Sequence, residues 1–152
     1  MFIVQTFDLT EQLKRLQRIV TILTGEKPWS KFPHDIQGML NGLNHNPAAL
    51  PHLVFRLLEN EVVTNGHLPS HVITEVSDCH ISILPFFWTK NRLNNTIAEN
   101  LLSRGIITIS MLRQWSSVSL GSLRGLGPKT VEQITDVMNR IGLSLTESTR
   151  PF

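Results

Sequence analysis

At 152 residues, 41% of them hydrophobic and 17% charged, the chain is long enough for one ordinary domain or two small ones with real cores. A single cysteine, Cys79, excludes an intrachain disulfide and fits a reducing cytoplasm, while no apolar run reaches membrane-spanning length and the first residues lack the layout of a signal peptide. The formal charge of +2 is unevenly divided: residues 1–85 carry six Lys/Arg against eight acids, and residues 86–152 carry eight against four, so the C-terminal half suits a polyanionic partner.

Residues 1–7 are β-prone and read either as an edge strand or as a packing arm. Asp8 is expected to open a helix, with Glu11 completing a capping-box-like pair. Leu9, Leu13, Leu16, Val20 and Leu23 then recur at alternating steps of four and three, flanked by Ile19 and Ile22, and Gly25 is the expected left-handed stop. This stripe serves either its own domain's core or, because it keeps coiled-coil spacing, a homodimer interface. Lys27 to Pro33 is a loop whose aromatics, Trp29 and Phe32, are expected to pack down. A short helix over 34–43 turns Ile36, Met39, Leu40 and Leu43 inward. Asn46 is expected to cap the next helix, with Pro47 in its first position, running to about Val63. After the Asn65-Gly66 turn, Ser70 is read as the cap of a helix to about Asp78 that uses Val72, Ile73 and Val76. Residues 79–91 change character, with a β-prone run followed by Pro85, Phe86, Phe87 and Trp88, too apolar for a free linker. They are read as a junction across which two domains touch.

The C-terminal region, residues 86–152, holds a helix from Asn94 or Asn95 to Ser103 with Gly105 as its stop, then a short helix capped by Thr108 or Ser110. Ser116 to Leu120 lead into a short turn carrying Leu123, then come Gly125-Leu126-Gly127, and Pro128 opens a helix to about Ile141 whose inner positions are Val131, Ile134, Val137, Met138 and Ile141. Gly142 stops it, and Leu143 and Leu145 fold back. Both glycines of the turn are expected to reach positive φ and to let the backbone approach another surface closely. The first-turn amides after Pro128 have no helical acceptor and sit at the positive end of the helix dipole, so they suit a phosphate, with Arg124 and Lys129 adding charge and Thr130 a hydroxyl. Two such glycine hairpins, at Arg104-Gly105 and Arg124-Gly125, lie twenty residues apart. The alternative is a hairpin that serves only as a compact helix corner.

Three stretches carry a family resemblance. Gly105-Ile106-Ile107-Thr108-Ile109-Ser110-Met111-Leu112, the turn Gly125-Leu126-Gly127-Pro128-Lys129-Thr130, and the closing helix ending Gly142-Leu143-Ser144-Leu145 together resemble the C-terminal domain of the bacterial RNA polymerase α subunit, over residues of about 88–145. The resemblance implies a compact all-α helix-hairpin-helix domain that grips phosphates and A·T-rich minor groove and touches σ factor and activators. It carries Gly127, Lys129 and Thr130 over as backbone-binding positions. The family's minor-groove arginine aligns with Thr96, its asparagine with Glu99, and its last-helix glutamate with Gln133; Arg92, one turn before Thr96, is a substitute candidate.

No catalytic constellation stands out. His67 and His71 are separated by Pro69 and lack a second cysteine or paired ligand motif, and Cys79 beside His80 points the opposite way on an extended run. The expectation is therefore an all-α, non-enzymatic, cofactor-free bacterial or phage cytoplasmic protein. A helical interaction or dimerisation domain (1–85) would precede a DNA-binding α-subunit-like domain (86–152). The expected partners are duplex DNA, a possible second copy, and RNA polymerase or a transcription factor, with no membrane. The alternative is a protein-interaction module that mimics the polymerase domain without binding DNA.

Overall fold

The computed structural model describes residues 9–25, 27–43, 45–46, 49–81, 83 and 95–146. The 1–7 arm, Asp8, Pro47, Arg92 and the aromatics at 86–88 lie outside those residues. The described chain is all-α: α1 (Leu9–Thr24), a 3₁₀ turn (Trp29–Lys31), α2 (His34–Gly42), α3 (Leu50–Asn65), α4 (Ser70–Ser77), α5 (Asn95–Ser103), α6 (Ile109–Arg113), α7 (Ser117–Gly121) and α8 (Pro128–Arg140).

In the N-terminal region α3 is the central element. Leu50, Leu53, Val54, Phe55, Leu57 and Leu58 are all buried, almost all the way round the helix, as expected of a helix covered on several sides. α1 and α2 pack on α3, and α4 packs on α1. Ile36 and Leu40 of α2, and Val72 and Val76 of α4, enter the same core. Ion pairs tie the layers at their edges. Arg56 of α3 donates to Asp35 of α2 at 2.6 Å and also meets Glu59, while Arg15 and Arg18 of α1 donate to Glu75 of α4 at 2.9 and 2.6 Å. These hydrogen bonds, led by Arg56 for Asp35 and by Arg18 for Glu75, hold both carboxyls below their ordinary range.

Several boundary expectations are corrected. The third helix starts at Leu50 with Pro51 in its first turn, and Asn46 is not its cap; the Asn46 carbonyl accepts instead from the Ala49 amide at 3.1 Å. Burial of Leu50 fixes the start where the local Asn-Pro signal does not. Pro69, not Ser70, precedes the first residue of α4, and no side chain caps it. Gly25 does not take a left-handed conformation; it is tight for another reason, since a Cβ there would lie 2.8 Å from the Thr21 carbonyl oxygen. Trp29 stays 47% exposed while Phe32 is buried, with Lys27 Nζ 5.2 Å from the Phe32 ring centre.

The α1 stripe divides. Leu16 and Leu23 (2% and 7% exposed), together with Ile19, belong to the intrachain core, and Val20 packs partly against it. α3 and α4 cover these residues, so Leu16 and Leu23 do not form the expected partner interface. Leu13 remains on the outside at 38%, and Leu9 opens the helix.

The C-terminal helices join the N-terminal ones through main-chain bonds. The amide of Ile81 donates to Ile107 at 2.8 Å and that of Ile109 to Cys79 at 3.0 Å, around an antiparallel bridge between His80 and Thr108. Arg113 reaches the Ser77 hydroxyl at 3.1 Å, and Gln12 of α1 accepts from the His80 amide at 2.9 Å. α8 packs on α7 and α3, and the buried residues of both regions form one cluster.

Candidate nucleic-acid interface

The corner between α7 and α8 is built by local rules. Ser116 and Ser119 form a reciprocal capping box at the start of α7, satisfying two first-turn donors. At the other end the Leu126 amide donates to the Leu123 carbonyl at 3.2 Å across a four-residue turn whose third residue, Gly125, has φ +91°. With no non-glycine residue at positive φ, this is a type II turn, which requires glycine at that position. Leu126, 3% exposed, pins the turn to the core.

Gly127 differs from the sequence expectation. Its φ is −75° and ψ 170°, ordinary extended backbone, and a Cβ there would meet nothing within 4 Å. It is the residue before α8 and offers no side-chain cap; Pro128 follows at the head of the helix, and the first intrahelical bond runs from Val131 to the Gly127 carbonyl at 3.1 Å. The first turn of α8 has no acidic residue. Arg124, Gly125, Gly127, Pro128 and Lys129 are exposed and Thr130 is half-buried, so the corner is open to solvent rather than covered by the N-terminal helices. The structure thus brings Arg124, Gly125, Gly127, Lys129 and Thr130 together.

One basic residue was missed by the sequence reading of the corner. Arg104, at the end of α5, donates from Nη2 to the Arg124 carbonyl at 3.0 Å, so the two glycine hairpins lie side by side. Asn100 of α5 packs beside Gly125. Glu99, next to Asn100, is exposed. Gly105 (φ +81°) ends α5 in a Schellman motif, with the Ile106 amide donating to Leu101 and that of Gly105 to Leu102, both at 3.0 Å. Thr108 caps α6, accepting from the Met111 amide at 3.2 Å.

Other candidate groups do not converge. Cys79 is buried and desolvation pushes its thiol up to about 12, which leaves it protonated and unreactive at neutral pH. Among the described residues no group of three or more His, Cys, Asp or Glu side chains gathers to hold a metal, and no helix is long and apolar enough to cross a membrane. An open cleft of about 600 Å³ lies between the ends of α1 and α3 and the start of α4, with Lys27, Glu61, Asn65 and His71 on its walls; Glu61 accepts from Asn65 at 2.6 Å.

The fold and the corner define an all-α chain with an exposed, basic glycine turn at the start of its last helix. No known protein family, curated protein or solved structure matches it.

Proposed function

We propose that the chain is a DNA-binding, transcription-associated regulator that holds the phosphate backbone at the α7–α8 corner. The observation that carries this reading is the open helix start at Gly127-Pro128, uncapped and free of acids in its first turn, between exposed Arg124 and Lys129. Amides at such a terminus and two cations recognise a phosphate by its charge and oxygens and carry no base information. Sequence preference would therefore come from DNA shape, a second site or a partner protein. The resemblance of residues 88–145 to the polymerase α C-terminal domain supports the same reading, as does the +4 charge of residues 86–152.

A second reading is a protein-interaction module that contacts polymerase, σ factor or an activator without DNA. Exposed Glu99, adjacent to the Asn100 that packs beside Gly125, favours it, because a carboxylate there opposes a phosphate.

Titration of duplex DNA at several salt concentrations, wild type beside Lys129→Ala, decides between them. Backbone binding gives an affinity that falls with salt, and the variant's log–log slope is shallower by about one. Affinity independent of salt, or no binding at low salt, refutes the DNA reading and leaves the interaction module.

A further inference from the structure

The bond between Arg104 and the second corner bears on how that corner is held. In a type II turn the peptide between the second and third residues stands in one of two orientations. Rotating it by about half a turn gives the type I form, with negative φ at the third residue. A glycine at that position is free to take either sign of φ, so Gly125 alone does not select between them. The orientation seen, with φ +91° at Gly125, points the Arg124 carbonyl at the Arg104 guanidinium, 3.0 Å away. The Gly125 amide is thereby committed to the opposite face of the turn.

Two further observations support a holding role. The turn's own closing bond, Leu126 to Leu123 at 3.2 Å, is compatible with both turn types and does not fix the central peptide. Asn100 of α5 packs beside Gly125, with its Nδ2 3.3 Å from where a Cβ would stand, and Arg104 directly follows α5, so this end of the helix supports the turn at two points.

We infer that Arg104 is a positioning residue: it holds the Arg124–Gly125 peptide in the type II orientation and so sets the geometry in which the corner meets its ligand. The functional part of this inference rests on the backbone-binding reading above; the conformational part does not. The role differs from that of Lys129, which the same reading places on a phosphate. On an exposed guanidinium the bond is net worth a factor of about 3 to 10 in the ratio of the two turn forms, so with the forms otherwise equal its loss lowers the competent fraction, and the affinity with it, by about 1.5- to 2-fold.

The test uses the full chain as wild type, Arg104→Ala, Arg104→Lys and Lys129→Ala. In the absence of DNA, NMR signals of residues 123–126 are followed for chemical shift and for microsecond-to-millisecond exchange. Arg104→Ala is expected to shift the Arg124 carbonyl and Gly125 amide signals and to introduce exchange confined to the turn. Arg104→Lys, which keeps a donor of similar reach, restores much of the wild-type pattern, and Lys129→Ala leaves the turn signals in place. With duplex DNA, Arg104→Ala is expected to weaken binding about 1.5- to 2-fold at every salt concentration with its slope kept, whereas Lys129→Ala loses about one unit of slope. Turn signals unmoved by Arg104→Ala overturn the inference, as does a slope loss equal to that of Lys129→Ala, which would make Arg104 a phosphate contact. If no variant binds DNA, the backbone-binding reading fails by itself, and the NMR comparison still decides whether Arg104 holds the turn.

Discussion

Replacing Gly142 by alanine tests whether α8 is locked onto the N-terminal helices. Gly142 follows α8 in a Schellman motif, with φ +75°, its amide donating to Asn139 at 3.1 Å and that of Leu143 to Met138 at 2.9 Å. A side chain there is strained twice. The left-handed backbone costs an L-residue about 1 kcal/mol. A Cβ would also stand 2.8 Å from Val62 Cγ2 and 3.5 Å from Leu68 Cγ, inside van der Waals contact with a stiff β-branched neighbour. Overpacking of that kind costs about 1–3 kcal/mol, so Gly142→Ala should destabilise by about 2–4 kcal/mol in all. Gly105→Ala is the matched control: its φ is +81°, but nothing lies within 4 Å of its Cβ position, so only the backbone cost of about 1 kcal/mol remains. Urea unfolding of both variants gives the difference, and Val62→Ala combined with Gly142→Ala should recover much of it through a favourable coupling. Equal losses for the two glycine variants, or no coupling to Val62, would show that α8 does not press on α3 and that the packing argument is wrong.

Two further outcomes follow from the N-terminal core. Leu16→Ala should cost about 2–5 kcal/mol and Leu13→Ala less than about 0.5; urea midpoints independent of protein concentration confirm that Leu16 is buried within one chain, and midpoints that rise with concentration refute it. Stability should also fall in acid. Asp35 and Glu75 titrate below their ordinary values of 3.8 and 4.5 in the fold, so their stabilisation is complete above about pH 5, begins to fall as pH drops below those values, and is lost as pH passes through the lower ones of the fold. His80, held by burial below its usual 6.5, adds a loss that begins as pH drops below 6.5, because the unfolded chain then takes up the proton more readily. Glu75→Gln should flatten the limb below pH 4.5 in a series of unfolding curves; an unchanged limb would rule out the Arg18–Glu75 contribution.

What was legible in the sequence was local. Val131, Ile134, Val137 and Met138 of α8, and Ile141 just past its end, repeat at helical spacing and all are buried. Gly66, Gly105 and Gly142 sit where a helix must stop, and each has positive φ. The cap at Thr108, one of the two that the sequence offers with Ser110, is also of this kind, since a hydroxyl two or three residues before a helical donor is a local signal. Where two local signals compete, burial decides: Asn46-Pro47 and Leu50-Pro51 both suit a helix start, and the core position of Leu50 selects the second. Pairings between distant residues left no such mark. Nothing in the composition of residues 79–83 points to residues 107–109, and the ion pairs from Arg15 and Arg18 to Glu75 join positions about sixty apart. Alternating leucines in α1 fit a partner seam and a core stripe equally well, because both need the same spacing; only the presence of α3 and α4 over Leu16 and Leu23 separates them.

The corner shows the same division at the scale of two residues. Sequence gives Gly125 and Gly127 one common reason, and the structure gives them different ones. Gly125 is required by the turn, whose third position stands at φ +91°. Gly127 stands at φ −75° with open space where a Cβ would be, so neither backbone nor packing asks for glycine there. A glycine in such a place costs about 0.5–1 kcal/mol relative to alanine through the freedom it adds to the unfolded chain, and its place just before the first helical residue, where glycine is preferred to alanine, returns a similar amount. Close approach of an external group to bare backbone at the start of α8 would be a reason for it beyond the fold. Gly127→Ala therefore separates the fold from the proposed contact: it should leave the urea midpoint nearly unchanged, while weakening DNA at the same salt. A variant that folds and binds DNA as well as wild type would remove the external reason for this glycine, and with it the part of the backbone-binding reading that depends on close approach.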